Sequence, residues 1–211
     1  ALDLAKRCGA RVVYPSSNEI YGSARGNDKF TEDYTGNLNL STARACYTES
    51  KRSGEALCQS YAAEYGVEIV IARLTRTFGP SVLSTDTKAS SQFINKALAH
   101  ENIVLKSKGE QFFSYTYVAD AVSALLYILL HGENAQAYNI SNELCNVHLK
   151  DFAQACADYA GTKVIFDLPS ETEAKGYSIA VNAILDNTKL QKLGWRPQYN
   201  FKEAISRTIK I

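Results

Sequence analysis

ALDLAKRCGARVVYPSS, residues 1–17, is the stretch that decides the fold. Its first half places apolar side chains at helical spacing and ends at Gly9, a residue typical of helix C-caps. A short apolar run, RVVYPSS, follows at once and predicts a strand. A helix, a glycine and a strand in this order are typical of α/β folds. The pattern begins in mid-element at Ala1, so we expect further residues before it.

The alternation of helices and strands continues along the chain. Residues 44–65 predict a helix closed by Gly66, and the β-rich run VEIVIARL at 67–74 predicts a strand buried on both faces. Residues 22–43 are polar and glycine-rich, and a loop of that length in a compact domain is usually functional. The remaining pattern predicts helices at 90–100, 119–132, 149–161, 187–195 and 201–211, strands at 102–107, 112–118, 137–141 and 163–169, and a loop at 75–88. These elements predict a parallel sheet with a smaller α/β lobe.

Composition argues against several classes of protein. Of the 211 residues, 45% are hydrophobic and 21% are charged, enough to bury a core. The formal net charge is +1 with both signs interspersed, so we expect neither nucleic acid nor a membrane surface as a partner. The longest apolar run, residues 121–130, is too short to span a bilayer. The five cysteines are scattered without CxxC spacing, so we predict no metal site, no disulfide framework and a reducing cytoplasm.

ACYTESKRSGE, residues 45–55, places Tyr47 and Lys51 four positions apart, on one face of the predicted helix. A phenol is a poor base at neutral pH, but a nearby ammonium stabilises the phenolate. Such a pair can take a proton and return it. The same spacing also fits two solvated residues on an ordinary helix, so its meaning depends on its neighbours.

The loop after the first strand, PSSNEIYG at 15–22, supplies those neighbours. Open α/β sheets place ligands at the carboxyl ends of their strands. The hydroxyl of Ser17 can share a proton with the same substrate oxygen as Tyr47, and Glu19 adds a carboxylate two positions later. The strand at 67–74 ends in RLTRTFGP, which places a second loop at the same edge.

Six motifs in this order resemble the extended short-chain dehydrogenase/reductase family, and more narrowly its NAD-dependent epimerase/dehydratase group, which acts on nucleotide sugars. They are S-x-E-x-Y-G at 17–22, YxxxK at 47–51, RxxxxFGP at 73–80, YVADAVSALL at 117–126, AYNIS at 137–141 and KLQKLGW at 189–195. Each motif is weak alone, but together they cover nearly the whole chain. The resemblance implies NAD as cofactor, a nucleotide-diphosphate sugar as substrate, and a homodimer that packs through the YxxxK helix.

The resemblance also implies a fold and its division into domains. It implies a partial Rossmann-type parallel sheet with a smaller C-terminal α/β substrate lobe. Residues 1–80 would form the C-terminal part of the NAD-binding Rossmann domain. Residues 81–211 would form mainly the substrate-binding lobe, with 112–140 returning to the Rossmann sheet.

The resemblance assigns roles to four residues. Tyr47 would be the catalytic acid/base, Lys51 would bind the nicotinamide ribose beside it, and both would contact the cofactor. Ser17 would hydrogen-bond the sugar hydroxyl that is oxidised. Oxidation at C4 gives a 4-keto sugar, from which epimerisation, 4,6-dehydration or decarboxylation can follow. Glu19 would be catalytic and favours a decarboxylase or a dehydratase, whereas Asn18 stands where dehydratases of the deoxythymidine type usually carry Asp.

The chain departs from the family pattern at three points. It lacks the G-x-x-G-x-x-G turn that holds the cofactor pyrophosphate, so by analogy on the order of a hundred residues would be missing. Arg76 replaces an asparagine that contacts the substrate diphosphate, and arginine can bind that group bidentately. Phe113 stands where an arginine usually meets the nucleotide phosphates. The missing turn leaves an alternative open, a non-catalytic remnant that binds a nucleotide sugar or a partner subunit.

Overall fold

The computed structural model describes residues 1–22, 29–42, 45–168 and 182–210. Parts of the predicted loop at 22–43, the predicted helix start at residue 44, and the last residues of the predicted strand at 163–169 and helix at 201–211 lie outside these residues. The helices are α1 (Leu2–Cys8), α2 (Ala45–Tyr65), α3 (Ala89–Leu98), α4 (Val118–His131), α5 (Leu149–Ala160), α6 (Thr188–Leu193) and α7 (Phe201–Ile209). The strands are β1 (Val12–Ser17), β2 (Ile69–Leu74), β3 (Arg76–Phe78), β4 (Ile103–Leu105), β5 (Phe112–Tyr117), β6 (Ala137–Ile140), β7 (Asn146–His148) and β8 (Val164–Phe166).

A parallel sheet of β1, β2 and β6, with β2 at its centre, positions the site. β1 and β2 pair in register from Val12 opposite Ile69 to Ser17 opposite Leu74. Because the two strands end side by side, the loops that follow them leave the sheet at the same edge. This sheet confirms the predicted α/β class.

The central strand is buried on both faces over residues 69–72, as its β-rich run predicts. Ile69 and Ile71 face α2 and pack in one apolar cluster with Cys58. Val70 and Ala72 face the other way and pack with α4 in a second cluster. Since side chains alternate along a strand, α2 and α4 cover opposite faces of the sheet.

The prediction of a loop at 75–88 is wrong at its start, where β3 forms. Arg76 pairs in parallel with Tyr115 of β5, and β5 pairs antiparallel with β7. β3 is three residues long, too short to show a periodic pattern, and forms through pairing with a distant strand. β4 and β8 form a separate parallel pair. The proposed division of the chain at residue 80 stays a prediction.

Asp120 in the first turn of α4 ties the C-terminal segment to the rest of the fold. This residue is 1% exposed. Its carboxylate accepts hydrogen bonds from the backbone N–H groups of Gln198 at 2.9 Å and Tyr199 at 3.3 Å, and from the Asn142 amide at 3.3 Å.

Among the described helices, none combines the length and apolar character needed to cross a membrane.

Candidate active site

Ser17 and Glu19 lie on one tight turn at the carboxyl end of β1. A short 3₁₀ helix, Asn18–Tyr21, follows the strand directly. The Ser17 hydroxyl accepts a hydrogen bond from the backbone N–H of Glu19 at 3.2 Å and so caps this turn. The strand end therefore fixes where both side chains lie.

Tyr47 and Lys51 occupy successive turns of α2, as the YxxxK spacing predicts. The Lys51 ammonium donates a hydrogen bond to the backbone oxygen of Pro15 at 2.8 Å, which joins the helix to the end of β1. The same nitrogen lies 5.9 Å from the ring centroid of Tyr47 and 5.7 Å from that of Tyr14. The phenol of Tyr47 therefore has a cation beside it, and 47% of its surface is exposed.

A cleft of ≈ 540 Å³ brings together all five site residues that the sequence predicts. Its walls include Ser17, Glu19, Tyr47, Lys51 and Arg76. The volume is in the range of small-molecule and cofactor sites. The roles of these residues stay predictions, but their common location agrees with a single site.

The cleft also shows one contact and one lining residue that the motifs did not indicate. The guanidinium of Arg76 stacks on the ring of Phe113, with 3.8 Å from Cζ to the ring centroid. Phe113, which departs from the family pattern, is thus a platform for Arg76. Lys88, just before α3, also lines the cleft, although it lies in the predicted loop and belongs to no motif. No signal short of the folded chain would have identified it.

The charged groups around the cleft favour an anionic ligand. Three cations, Lys51, Arg76 and Lys88, line it together with the carboxylate of Glu19. Lys88 also pairs with Asp86 at 3.2 Å. Among the described residues, no group of three or more His, Cys, Asp or Glu side chains is arranged to hold a metal ion.

Residues 1–141 match the model of the NAD dependent epimerase/dehydratase family. The chain belongs to this family. The match covers more than half of the chain, and it confirms the family that the six motifs predict. NAD is the cofactor of this family, in agreement with the predicted cofactor.

Curated relatives of this family member are longer proteins. The chain is 32% identical to UDP-glucuronic acid decarboxylase 1 of Xenopus tropicalis over 208 residues, which are 99% of this chain and 48% of the relative. It is 33% identical to UDP-glucuronic acid decarboxylase 5 of Arabidopsis thaliana, over 97% of this chain and 58% of the relative. The chain thus spans about half the length of the curated relatives it matches.

Solved structures share the fold of this family member. A dTDP-glucose 4,6-dehydratase from Bacillus anthracis in complex with NAD aligns with a TM-score of 0.81 at 20% identity, over 99% of this chain and 64% of that chain. A UDP-glucose 4-epimerase from Thermotoga maritima with UDP-glucose aligns with a TM-score of 0.82 at 22% identity, over 99% of this chain and 65% of that one. These matches confirm the predicted Rossmann-type architecture.

Proposed function

We propose that this chain carries the catalytic residues of an NAD-dependent enzyme that modifies a nucleotide-diphosphate sugar through oxidation at C4. The observation that carries the proposal is the meeting of Tyr47, Lys51, Ser17 and Glu19 at one cleft. A phenol, an ammonium, a hydroxyl and a carboxylate at one strand edge can move protons to and from a sugar. Family membership and the decarboxylases among the curated relatives support the same function.

The residues present fit one end of NAD. Lys51 and Tyr47 line the cleft beside the backbone of Pro15, where a ribose would meet a charged donor and a phenol. The pyrophosphate requires the backbone N–H groups of a glycine-rich turn, and the sequence contains no G-x-x-G-x-x-G. We therefore assign only contacts with the nicotinamide ribose to this chain, and we assign them to Tyr47 and Lys51.

Tyr47 would take the proton of the C4 hydroxyl, and Ser17 would hydrogen-bond the same oxygen. Lys51 would stabilise the phenolate by its charge. NAD, when bound, supplies the acceptor for the hydride at C4. The 4-keto group acidifies the neighbouring C5–H bond and makes a carboxylate on C5 easy to lose, so the next step depends on the substrate and on Glu19.

Decarboxylation is the outcome that we favour. Asn18, beside Glu19, has no carboxyl proton to give to a leaving C6 hydroxyl, which disfavours dehydration of the deoxythymidine type. The three cations of the cleft suit a substrate with a diphosphate and a uronate carboxylate. A 4,6-dehydratase remains the neighbouring alternative, with Glu19 as the C5 base. A 4-epimerase is the more distant alternative, because an acidic residue at this position is unusual for it.

The test is turnover of UDP-glucuronic acid by the chain in the presence of NAD, followed as release of carbon dioxide. UDP-glucose and dTDP-glucose, each followed by chromatography, test epimerisation and dehydration. Tyr47→Phe is expected to lower the rate by about 100-fold or more, since it removes the acid/base. Tyr65→Phe, the same change at an exposed position of α2 outside the cleft, is the matched control. Turnover that survives Tyr47→Phe would refute the assignment.

A second candidate function is binding without catalysis, because these 211 residues contain no G-x-x-G-x-x-G turn to hold the cofactor pyrophosphate. Titration of the chain with NADH, followed by nicotinamide fluorescence, separates the two. Saturable binding that Lys51→Ala weakens supports the enzyme. Binding of UDP-glucuronic acid without binding of NADH supports the remnant. The homodimer and the cytoplasmic location are further proposals, and light scattering of the purified chain tests the first.

A further inference from the structure

A buried ion pair joins α2 to the end of β2. The guanidinium of Arg73 donates two hydrogen bonds to the carboxylate of Glu55, from Nη2 to Oε2 at 2.7 Å and from Nε to Oε1 at 3.1 Å. The two side chains are only 13% and 12% exposed. Bidentate pairs of this kind fix orientation as well as distance. Neither residue lines the cleft.

The same pair also makes hydrogen bonds to several other segments of the fold. The hydroxyl of Ser16, at the end of β1, donates a hydrogen bond to Glu55. Nη1 of Arg73 donates to the hydroxyl of Tyr21 at 3.0 Å and to the backbone oxygen of Glu32 at 2.7 Å. The ion pair therefore connects α2, β2, the end of β1 and the turn that carries Glu19.

Helix geometry relates this pair to the proposed site. Glu55 lies four residues after Lys51 and eight after Tyr47, so all three fall on one face of α2. Ser16, which Glu55 binds, is the immediate neighbour of Ser17. The pair therefore acts at both sides of the cleft, on the helix with the tyrosine and lysine and on the strand end with the serine.

Stability alone does not account for charges at this place. Burial of an ion pair carries a large desolvation cost, and apolar side chains of similar volume often stabilise a fold equally well. An apolar contact would permit α2 to slide or rotate slightly, whereas a forked pair of hydrogen bonds would not.

We infer that Glu55 and Arg73 are positioning residues, which hold Tyr47 and Lys51 in place against Ser17. The inference deepens the proposed function and rests on it for its meaning in catalysis. How firmly the fold holds the Lys51 side chain can be measured without NAD and without a substrate. A failure of this inference can thus be told from a failure of the proposed function.

The experiment measures how fast a small acylating reagent modifies Lys51 in the native chain, by peptide mass spectrometry. Lys202, which is exposed on α7, serves as the internal reference. Glu55→Gln keeps the shape of the side chain and removes its charge. We expect Lys51 to react about threefold faster or more in this variant, because its hydrogen bond to Pro15 is no longer held in place, with Lys202 unchanged.

Asp120→Asn is the matched control, because it weakens a buried carboxylate network in a different part of the fold. It is expected to lower stability and to leave the ratio of Lys51 to Lys202 modification unchanged. Arg73→Lys, which keeps the charge but loses the fork, should raise the ratio as Glu55→Gln does, and it decides the matter if Glu55→Gln does not fold. An unchanged ratio in these variants, or an equal rise in Asp120→Asn, would overturn the inference.

Discussion

Gly54 in the middle of α2 gives the sharpest prediction. Glycine costs a helix interior about 1 kcal/mol relative to alanine, so Gly54→Ala would ordinarily stabilise the protein. Here the ring of Tyr14 lies directly against the glycine. A Cβ added at Gly54 would lie 3.0 Å from Cε2 of Tyr14 and closer still to Cζ and Oη. We therefore predict that the substitution destabilises the fold.

The magnitude follows from two opposed effects. The ring of Tyr14 packs in the cluster between α2 and the sheet, and its hydroxyl donates a hydrogen bond to the backbone oxygen of Lys51 at 3.4 Å. Its displacement therefore disturbs both packing and a polar contact. Overpacking typically costs about 1–3 kcal/mol, and the clash with ring carbons places Gly54→Ala at the upper end. After the helix gain of about 1 kcal/mol, the net loss is about 2 kcal/mol.

Urea unfolding, followed by circular dichroism, measures this change in the free energy of unfolding. Ser53→Ala, at the exposed neighbouring position, is the control and should stabilise slightly. In a Tyr14→Ala background the ring is gone, and Gly54→Ala should then stabilise by about 1 kcal/mol. The reversal of sign is the diagnostic result. If Gly54→Ala raises the urea midpoint while Tyr14 is present, the steric argument is wrong.

Three further predictions concern buried groups. Asp120→Asn should lower the free energy of unfolding, measured by urea unfolding, by about 1–3 kcal/mol. Both carboxylate oxygens of Asp120 accept hydrogen bonds, and the substitution would place an amide nitrogen, itself a donor, against one set of these donors. Burial raises the pKa of Glu32 above its ordinary 4.5, so the folded state holds this proton more tightly than the unfolded state. Stability should therefore fall as pH rises above 4.5 through the raised pKa of Glu32, and urea unfolding measured as a function of pH should show a smaller fall in Glu32→Gln. Cys8 and Cys46 are exposed and should react with a thiol reagent in the native chain, whereas Cys145, whose pKa burial raises to about 12, should react only on unfolding.

The parts of the fold that the sequence predicts are those with long, regular patterns. Residues 69–72 form an apolar run within the β-rich stretch 67–74, and such a run in a strand requires cover on both faces, which α2 and α4 provide. β3 and β7 are three residues each and form through pairing with β5, which no local pattern encodes. Their absence from the prediction reflects tertiary pairing, which decides short strands.

In the site, too, local sequence patterns predict some residues, whereas contacts between distant residues are not predictable from them. Tyr47 and Lys51 are predictable because a helical spacing alone puts them on one face, and Ser17 and Glu19 because they follow a strand end. The pair of Glu55 and Arg73 is invisible in sequence, since its partners lie 18 residues apart on different elements.

A motif thus names the groups that could do the chemistry, whereas the contacts that hold them still arise only when the chain folds. Arg76 illustrates this limit, because the family pattern marks it as a departure and gives no reason for it. The structure supplies a reason, since the guanidinium lies on the ring of Phe113, the other departure at the cleft. Two changes that look independent in the sequence form one contact. We therefore expect Phe113→Ala to weaken binding of UDP-glucuronic acid as much as Arg76→Ala does, and the double variant to weaken it little further. Independent effects of the two substitutions in calorimetric titrations would show that the contact does not matter for binding.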